Sequence, residues 1–158
     1  MNLTSLDYAK LIAWIAFNKH HITLNKTQVQ KILFICYGWY LANKNQPLFT
    51  DDTPKAWPFG PVFPRSYKRY DNFVTSDLTQ EEKTAFLEDK ETLRQISIFT
   101  DRYCHMTARD LTAWSHQPDT PWSKTVFKGD GKIHWSEEIN INDIKEYFKE
   151  GRWKIGLC

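Results

Sequence analysis

Asn25 to Pro47 read NKTQVQKILFICYGWYLANKNQP. Asn25 or Thr27 can accept hydrogen bonds from the free amides of a helix start. Val29, Ile32, Leu33, Cys36 and Tyr40 then form one stripe, while Phe34, Ile35, Tyr37 and Trp39 spread apolar surface around the other faces. A helix apolar on every side belongs in the interior, so this one is expected at the centre of the protein. The polar run Asn43 to Gln46 and then Pro47, which has no backbone donor, mark its end. Cys36 on that stripe is predicted to be a packed, unreactive thiol.

On the N-terminal side, Thr4 and Ser5 can cap a helix whose Tyr8, Leu11, Ile12 and Ile15 recur at helical spacing. On the C-terminal side, Pro47, Pro54, Pro58, Pro61 and Pro64 punctuate aromatic residues and Gly60, which excludes a continuous helix and predicts a structured loop with extended pieces. Tyr67 to Phe73 is expected to be a short helix. Thr79 with Glu82 reads as a capping box opening a charged helix to about Ile98, and Thr107 with Asp110 caps another that ends before Pro118. A loop over Gln117 to Trp122 follows. The glycines in Val126 to Trp135 permit positive φ and predict a small hairpin there. Asn140 or Asn142 starts a last helix with Ile144, Tyr147 and Phe148, and Gly151 stands where a helix C-terminal glycine is favoured. The whole reads as mainly α: one compact helical domain over residues 1–158, of about five or six helices, with a Pro/aromatic-rich extended loop and a small β-hairpin.

Composition narrows the function. The chain is 41% hydrophobic and 25% charged, values of a globular protein. Lys and Arg outnumber Asp and Glu by 21 to 19, so no broad field draws the chain to nucleic acid or acidic membranes. The three cysteines, Cys36, Cys104 and Cys158, are far apart and odd in number, which argues against a disulfide framework and for a reducing cytoplasm. The longest apolar run, Ile32 to Ala42, is too short to span a bilayer, and no cleavable signal or prenylation motif is expected.

Chemical motifs are weak. Gly129-Asp130-Gly131-Lys132 lacks the spacing and the Ser or Thr of a nucleotide P-loop and reads as a turn. His20, His21, His105, His116 and His134 have no zinc-type spacing with Cys104, so neither a metal nor another cofactor is expected. The acids from Glu81 to Glu91 interleave with lysines as on a solvated helix face. With no catalytic set, the chain is read as a binding protein, not an enzyme. The unusual stretch is Lys55-Ala56-Trp57-Pro58-Phe59-Gly60-Pro61-Val62-Phe63-Pro64-Arg65-Ser66-Tyr67, where prolines stiffen large aromatic contact residues. Gly60, between Phe59 and Pro61, is expected to make a tight turn. Packing of Trp57, Phe59 and Tyr67 onto the helices and exposure of the segment to a partner are both open on the sequence.

These residues also carry a resemblance. Gln30-Lys31-Ile32-Leu33-Phe34 leading to Gly38-Trp39-Tyr40-Leu41-Ala42 and Pro47-Leu48-Phe49, then Ala56-Trp57, Phe59-Gly60-Pro61-Val62, Pro64 and Tyr67, resemble the Panacea (SocA-like) antitoxin family. Leu111, His116, Pro121-Trp122 and the closing Asp143-Ile144 to Tyr147-Phe148 are similar too, so the likeness spans nearly the whole chain. It implies an antitoxin of a type II toxin–antitoxin system, often prophage-borne, whose partner is a protein toxin encoded by an adjacent gene. Some relatives deliver the toxin to a protease, an implied second partner; others carry an added DNA-binding domain, for which this chain has no room. Lys55 and Arg65 stand where the family often has acids, so the toxin of a relative does not transfer. The expected partner-contacting residues are Lys55, Trp57, Phe59, Gly60, Pro61, Arg65, Tyr67 and Trp122. The competing reading is a nucleic-acid-binding regulator without catalytic activity, using Lys124, Lys128, Lys132, Lys149, Arg152 and Lys154 as a basic face.

Overall fold

The computed structural model describes residues 2–70 and 77–154. Helix α1, Ser5–His20, starts at Thr4 with a capping box closed by Asp7. Helix α2, Lys26–Lys44, starts at Asn25 with a second box closed by Gln28. Each ends on a residue in the left-handed conformation, His21 and Asn45, that bonds back to the last turn. The run from Val29 to Gly38 is buried without a break, as a helix apolar on all faces requires. α2 packs against α1 and against four later elements: strand β2 (Gly60–Val62) and helices α5 (Lys90–Tyr103), α6 (Ala108–Ser115) and α8 (Ile141–Lys149). It meets α8 where Gly38 leaves room for the Phe148 ring that any Cβ would strike. Cys36 is 1% exposed and desolvation pushes its thiol far up, as the apolar stripe predicts. Cys158 lies outside the described residues.

The described residues hold eight α-helices, more than the five or six expected, and one two-stranded antiparallel sheet, so the protein is mainly helical with a small hairpin. The placement of several parts differs. The hairpin is not at Val126 to Trp135. There, Gly129 and Gly131 do take positive φ, but Asp130 turns the chain onto itself by accepting from the Lys132 amide at 2.9 Å and meeting His134 at 2.7 Å, so no ladder forms. The hairpin lies within the proline-rich stretch, pairing β1 (Lys55–Trp57) with β2. The charged helix is two helices, α4 (Gln80–Leu87) and α5, because Asp89 caps the second through the Thr92 amide and hydroxyl. Glu82 closes the predicted box with Thr79 and also pairs with Lys10 of α1 at 2.8 Å. The short helix α3 spans Pro64–Arg69 with Pro64 in its first turn, earlier than Tyr67 to Phe73; Phe73 lies outside the described residues. Thr120 caps a helix α7, Pro121–Val126, where a loop was expected to run to Trp122.

α2 carries two polar residues into the core. Gln30 accepts from the Phe63 amide at 2.8 Å and donates to Ser66 at 3.0 Å. Lys31, fully buried, donates to the Pro61 carbonyl at 3.1 Å, and burial lowers its pKa to about 7.

The buried Lys31 makes stability depend on pH. The unfolded chain keeps that proton up to the ordinary value of 10.5, whereas the folded chain releases it near 7, so the unfolded state binds more protons in between. Stability therefore rises with pH from 7 toward 9, with a slope of at most about 1.4 kcal/mol per pH unit. Above pH 9, Cys36, Tyr8 and Tyr37, all pushed upward by burial, pull the other way. Denaturant unfolding across this window should show the rise in the parent and its loss in Lys31→Met; equal slopes in both would refute it.

Candidate functional site

The register Lys55↔Val62, Ala56↔Pro61 and Trp57↔Gly60 leaves Pro58 and Phe59 as the two-residue turn. Pro61 has no amide to donate, and it faces Ala56 at a position where none is needed. The Ala56 amide instead bonds to the Glu137 carbonyl and its carbonyl accepts from the Ser136 amide, both at 2.9 Å, so the chain at 136–139 lies along the other edge of β1. Gly60 has φ +107, the conformation its place in the sequence suggests. A Cβ there would strike Ser115 Oγ and come within 2.7 Å of Lys31 Cε, so the glycine is required by space as well as by backbone.

The hairpin is anchored from beneath. Trp122, buried, donates its Nε1 hydrogen to the Trp57 carbonyl at 2.7 Å. Its indole stacks on the His116 ring, with centroids 3.8 Å apart and planes at 15°. The His116 ring lies near the Pro58 backbone. Its Nε2 is buried with no partner among the described residues. Burial first, then the nearby Lys31 charge, holds its pKa below the ordinary value, against an opposing contribution from the Pro58 backbone. Turn, strand exit and adjacent helix are thus tied by Lys31, His116, Trp122 and Gln30.

The nominated residues separate by position. Phe59 is 62% exposed at the tip, and Arg65 is exposed on α3 with its amide bound to Asp52 at 2.8 Å. Lys55, Trp57 and Tyr67 are half-buried. Lys55 donates to Thr53 Oγ1 at 3.2 Å. The Trp57 and Tyr67 rings meet edge to face at 5.2 Å, and Lys26 Nζ lies 4.8 Å from the Tyr67 centroid. Gly60, Pro61 and Trp122 are buried and shape the segment from below.

Three exposed apolar residues lie outside the expected contact set: Phe127, Ile133 and Trp135, at 57%, 58% and 46%. Phe127 and Trp135 lie about Trp122, with centroids at 6.1 and 6.2 Å, so the indole that anchors the hairpin also carries these rings. An open groove of about 360 Å³ between His116, Pro118, Asp119, Ser123, Lys124 and Phe127 borders them. Their signal was present as a cluster of large apolar residues in a glycine-rich turn, which hairpin geometry would have left half-exposed in any case.

The expected basic face is mixed in charge. Lys124 and Lys128 line a groove of about 660 Å³ that also holds Glu138 and Asp143, and Lys128 pairs with Glu137 at 2.9 Å. These acids interrupt the single-sign strip that a phosphate backbone favours. Among the described residues no helix is long and apolar enough to cross a membrane.

Gly60→Val should destabilise the fold by about 1 to 3 kcal/mol from backbone strain, with a further cost from the crowding of Ser115 and Lys31. Gly129→Val makes the control, since it has similar φ but open space around it and should cost less. Thermal unfolding of both decides; equal losses would assign the effect to φ alone.

A family model described as antitoxin SocA-like, Panacea domain, matches residues 29–123. No curated protein and no solved structure matches the chain. The matched span begins in α2 and ends in α7, leaving α1 and α8 outside it. Within it lie Gln30 and Lys31, the hairpin they hold, and the His116–Trp122 stack that closes over it. With more than half of its length matched, including all of these anchoring residues, the chain belongs to the SocA-like antitoxin family of Panacea domains.

Proposed function

We propose that this protein is the antitoxin of a type II toxin–antitoxin system and neutralises a protein toxin, encoded by an adjacent gene, by direct binding in the cytoplasm. One observation carries the reading: Phe59 is held in solvent on a turn that leads into the buried Gly60 and Pro61 and whose strands are fixed by hydrogen bonds to the Trp57 and Pro61 carbonyls. A large apolar side chain kept exposed by a built scaffold suits a partner's pocket, and a preformed turn loses little entropy on binding. Trp57 and Tyr67 supply the half-buried flank, and Phe127 and Trp135 extend the apolar area across Trp122. Lys55 and Arg65 stand at the border, where charge acts on encounter and on the choice of partner. Gly60, Pro61 and Trp122 serve the same surface by holding its shape. Co-expression with the adjacent gene product should give a complex and restore growth; a toxin that neither binds nor is relieved would overturn the proposal.

The surface makes two separable predictions. Phe59→Ala should leave the melting temperature within error and weaken toxin binding by on the order of 2 kcal/mol, chiefly through faster dissociation. Lys55→Glu with Arg65→Glu should leave folding intact and change the association rate at low salt, with a smaller change at high salt. Kinetic binding measurements at two ionic strengths read both effects. Unchanged association in the double variant would show that these charges do not select the partner.

A further inference from the structure

The ends of α1 and α5 meet in a cluster that sequence spacing does not suggest. His20 is the last residue of α1, and Cys104 and His105 directly follow α5. One ligating atom from each lies within 4.8 Å of the other two, and the imidazoles of His20 and His105 meet edge to face with centroids 5.0 Å apart. Tetrahedral zinc with nitrogen and thiolate ligands has bond lengths of about 2.0 to 2.3 Å, so modest side-chain rotation closes such a triangle on one ion.

A fourth residue orients the first. Asp101, one turn earlier on α5, lies 2.8 Å from His20 Nε2 through Oδ1 and 2.8 Å from Lys19 Nζ through Oδ2. A carboxylate only accepts, so the His20 hydrogen sits on Nε2 and the Nδ1 lone pair is left for a ligand. Carboxylate–histidine pairs of this kind fix the tautomer of metal-bound imidazoles and raise their basicity. The graded burial also fits. Cys104 is 2% exposed, His20 is half-buried and His105 is exposed, so an ion would sit at the surface with a dry thiolate side and an open side.

We propose that His20, Cys104 and His105 bind a thiolate-seeking divalent transition metal, zinc foremost, with Asp101 as the positioning residue for His20. On binding, the Cys104 thiol loses its proton to solvent as the sulfur–metal bond forms, and the two neutral imidazoles complete three protein ligands. Thiolate, metal and the Asp101 carboxylate then sum to no net charge, while Lys19 remains paired on the outer oxygen. The fourth position is open to water or to a donor from another molecule. The ion would tie the C-terminal ends of α1 and α5, two helices that already pack on each other.

The test is a Co²⁺ titration of the metal-free full chain carrying Cys158→Ser, so that the terminal thiol cannot contribute. The expected result is a sulfur-to-cobalt charge-transfer band together with the intense visible bands of tetrahedral cobalt, saturating at one equivalent and displaced by Zn²⁺. Cys104→Ser should abolish the charge-transfer band. His105→Ala changes an exposed side chain, so it should keep the fold by circular dichroism and weaken metal affinity at least about ten-fold. Asp101→Asn should weaken it by roughly ten- to a hundred-fold with the band shape retained. Absence of a charge-transfer band, its survival in Cys104→Ser, or unchanged affinity in folded His105→Ala would each overturn the site. An unchanged affinity in Asp101→Asn would remove the positioning role.

Discussion

Two polar side chains on the most apolar helix constrain the rest of the molecule. Gln30 and Lys31 are buried in α2, where an unpaired amide or ammonium would cost several kcal/mol. Their partners are backbone groups of Pro61 and Phe63 and the Ser66 hydroxyl, all in the segment from hairpin to α3. Satisfying α2 therefore means placing that segment in one position, and apolar packing alone would not set its register so tightly. Gly60 follows from the same demand. Lys31 Cε and Ser115 occupy the space of a side chain, so the strand can approach only as bare backbone.

From this anchor the exposed features inherit their geometry. The Pro61 carbonyl is held by Lys31, its strand partner Ala56 is held on the other side by residues 136 and 137, and the Trp57 carbonyl is held by Trp122. Phe59 is thereby fixed in space although it touches water. Its exposure costs little in folding, because a turn residue has nowhere apolar to retreat to without breaking these bonds. The loop from 127 to 136 meets the same Trp122, which is why its aromatic residues gather beside the hairpin.

Legibility followed the range of the interaction. Helix starts at Thr4, Asn25, Thr79, Thr107 and Asn140 were readable because a cap and its target lie within three residues. The cap at Asp89 is not legible, since Glu88-Asp89-Lys90-Glu91 looks like a continuous charged face until the Thr92 hydroxyl donates to its carboxylate. The hairpin was assigned to the glycines of 129–131, where Asp130 satisfies the turn locally. At 55–62 prolines, poor strand residues in general, hide it, and only the tertiary pairing of Ala56 shows that Pro61 needs no donor. The aromatic segment stood out as the candidate site, yet the division between exposed Phe59 and half-buried Trp57 depends on which residues take the turn. The meeting of His20 with Cys104 and His105 has no local trace, because it arises from α1 packing along α5.

If the proposed surface is the contact surface, folding and recognition fall on different residues. Gln30, Lys31, Gly60, His116 and Trp122 are tied to one another through buried hydrogen bonds, contact and stacking, so a change at one is felt at the others. Among the described residues, Phe59 and Arg65 are exposed outside these bonds, and surface substitutions clear of such networks usually move stability by less than about 0.5 kcal/mol. A scaffold divided in this way can exchange the charge at its rim without disturbing the turn that presents Phe59. Partner choice can then shift by repulsion at the border while the apolar anchor and its support stay the same.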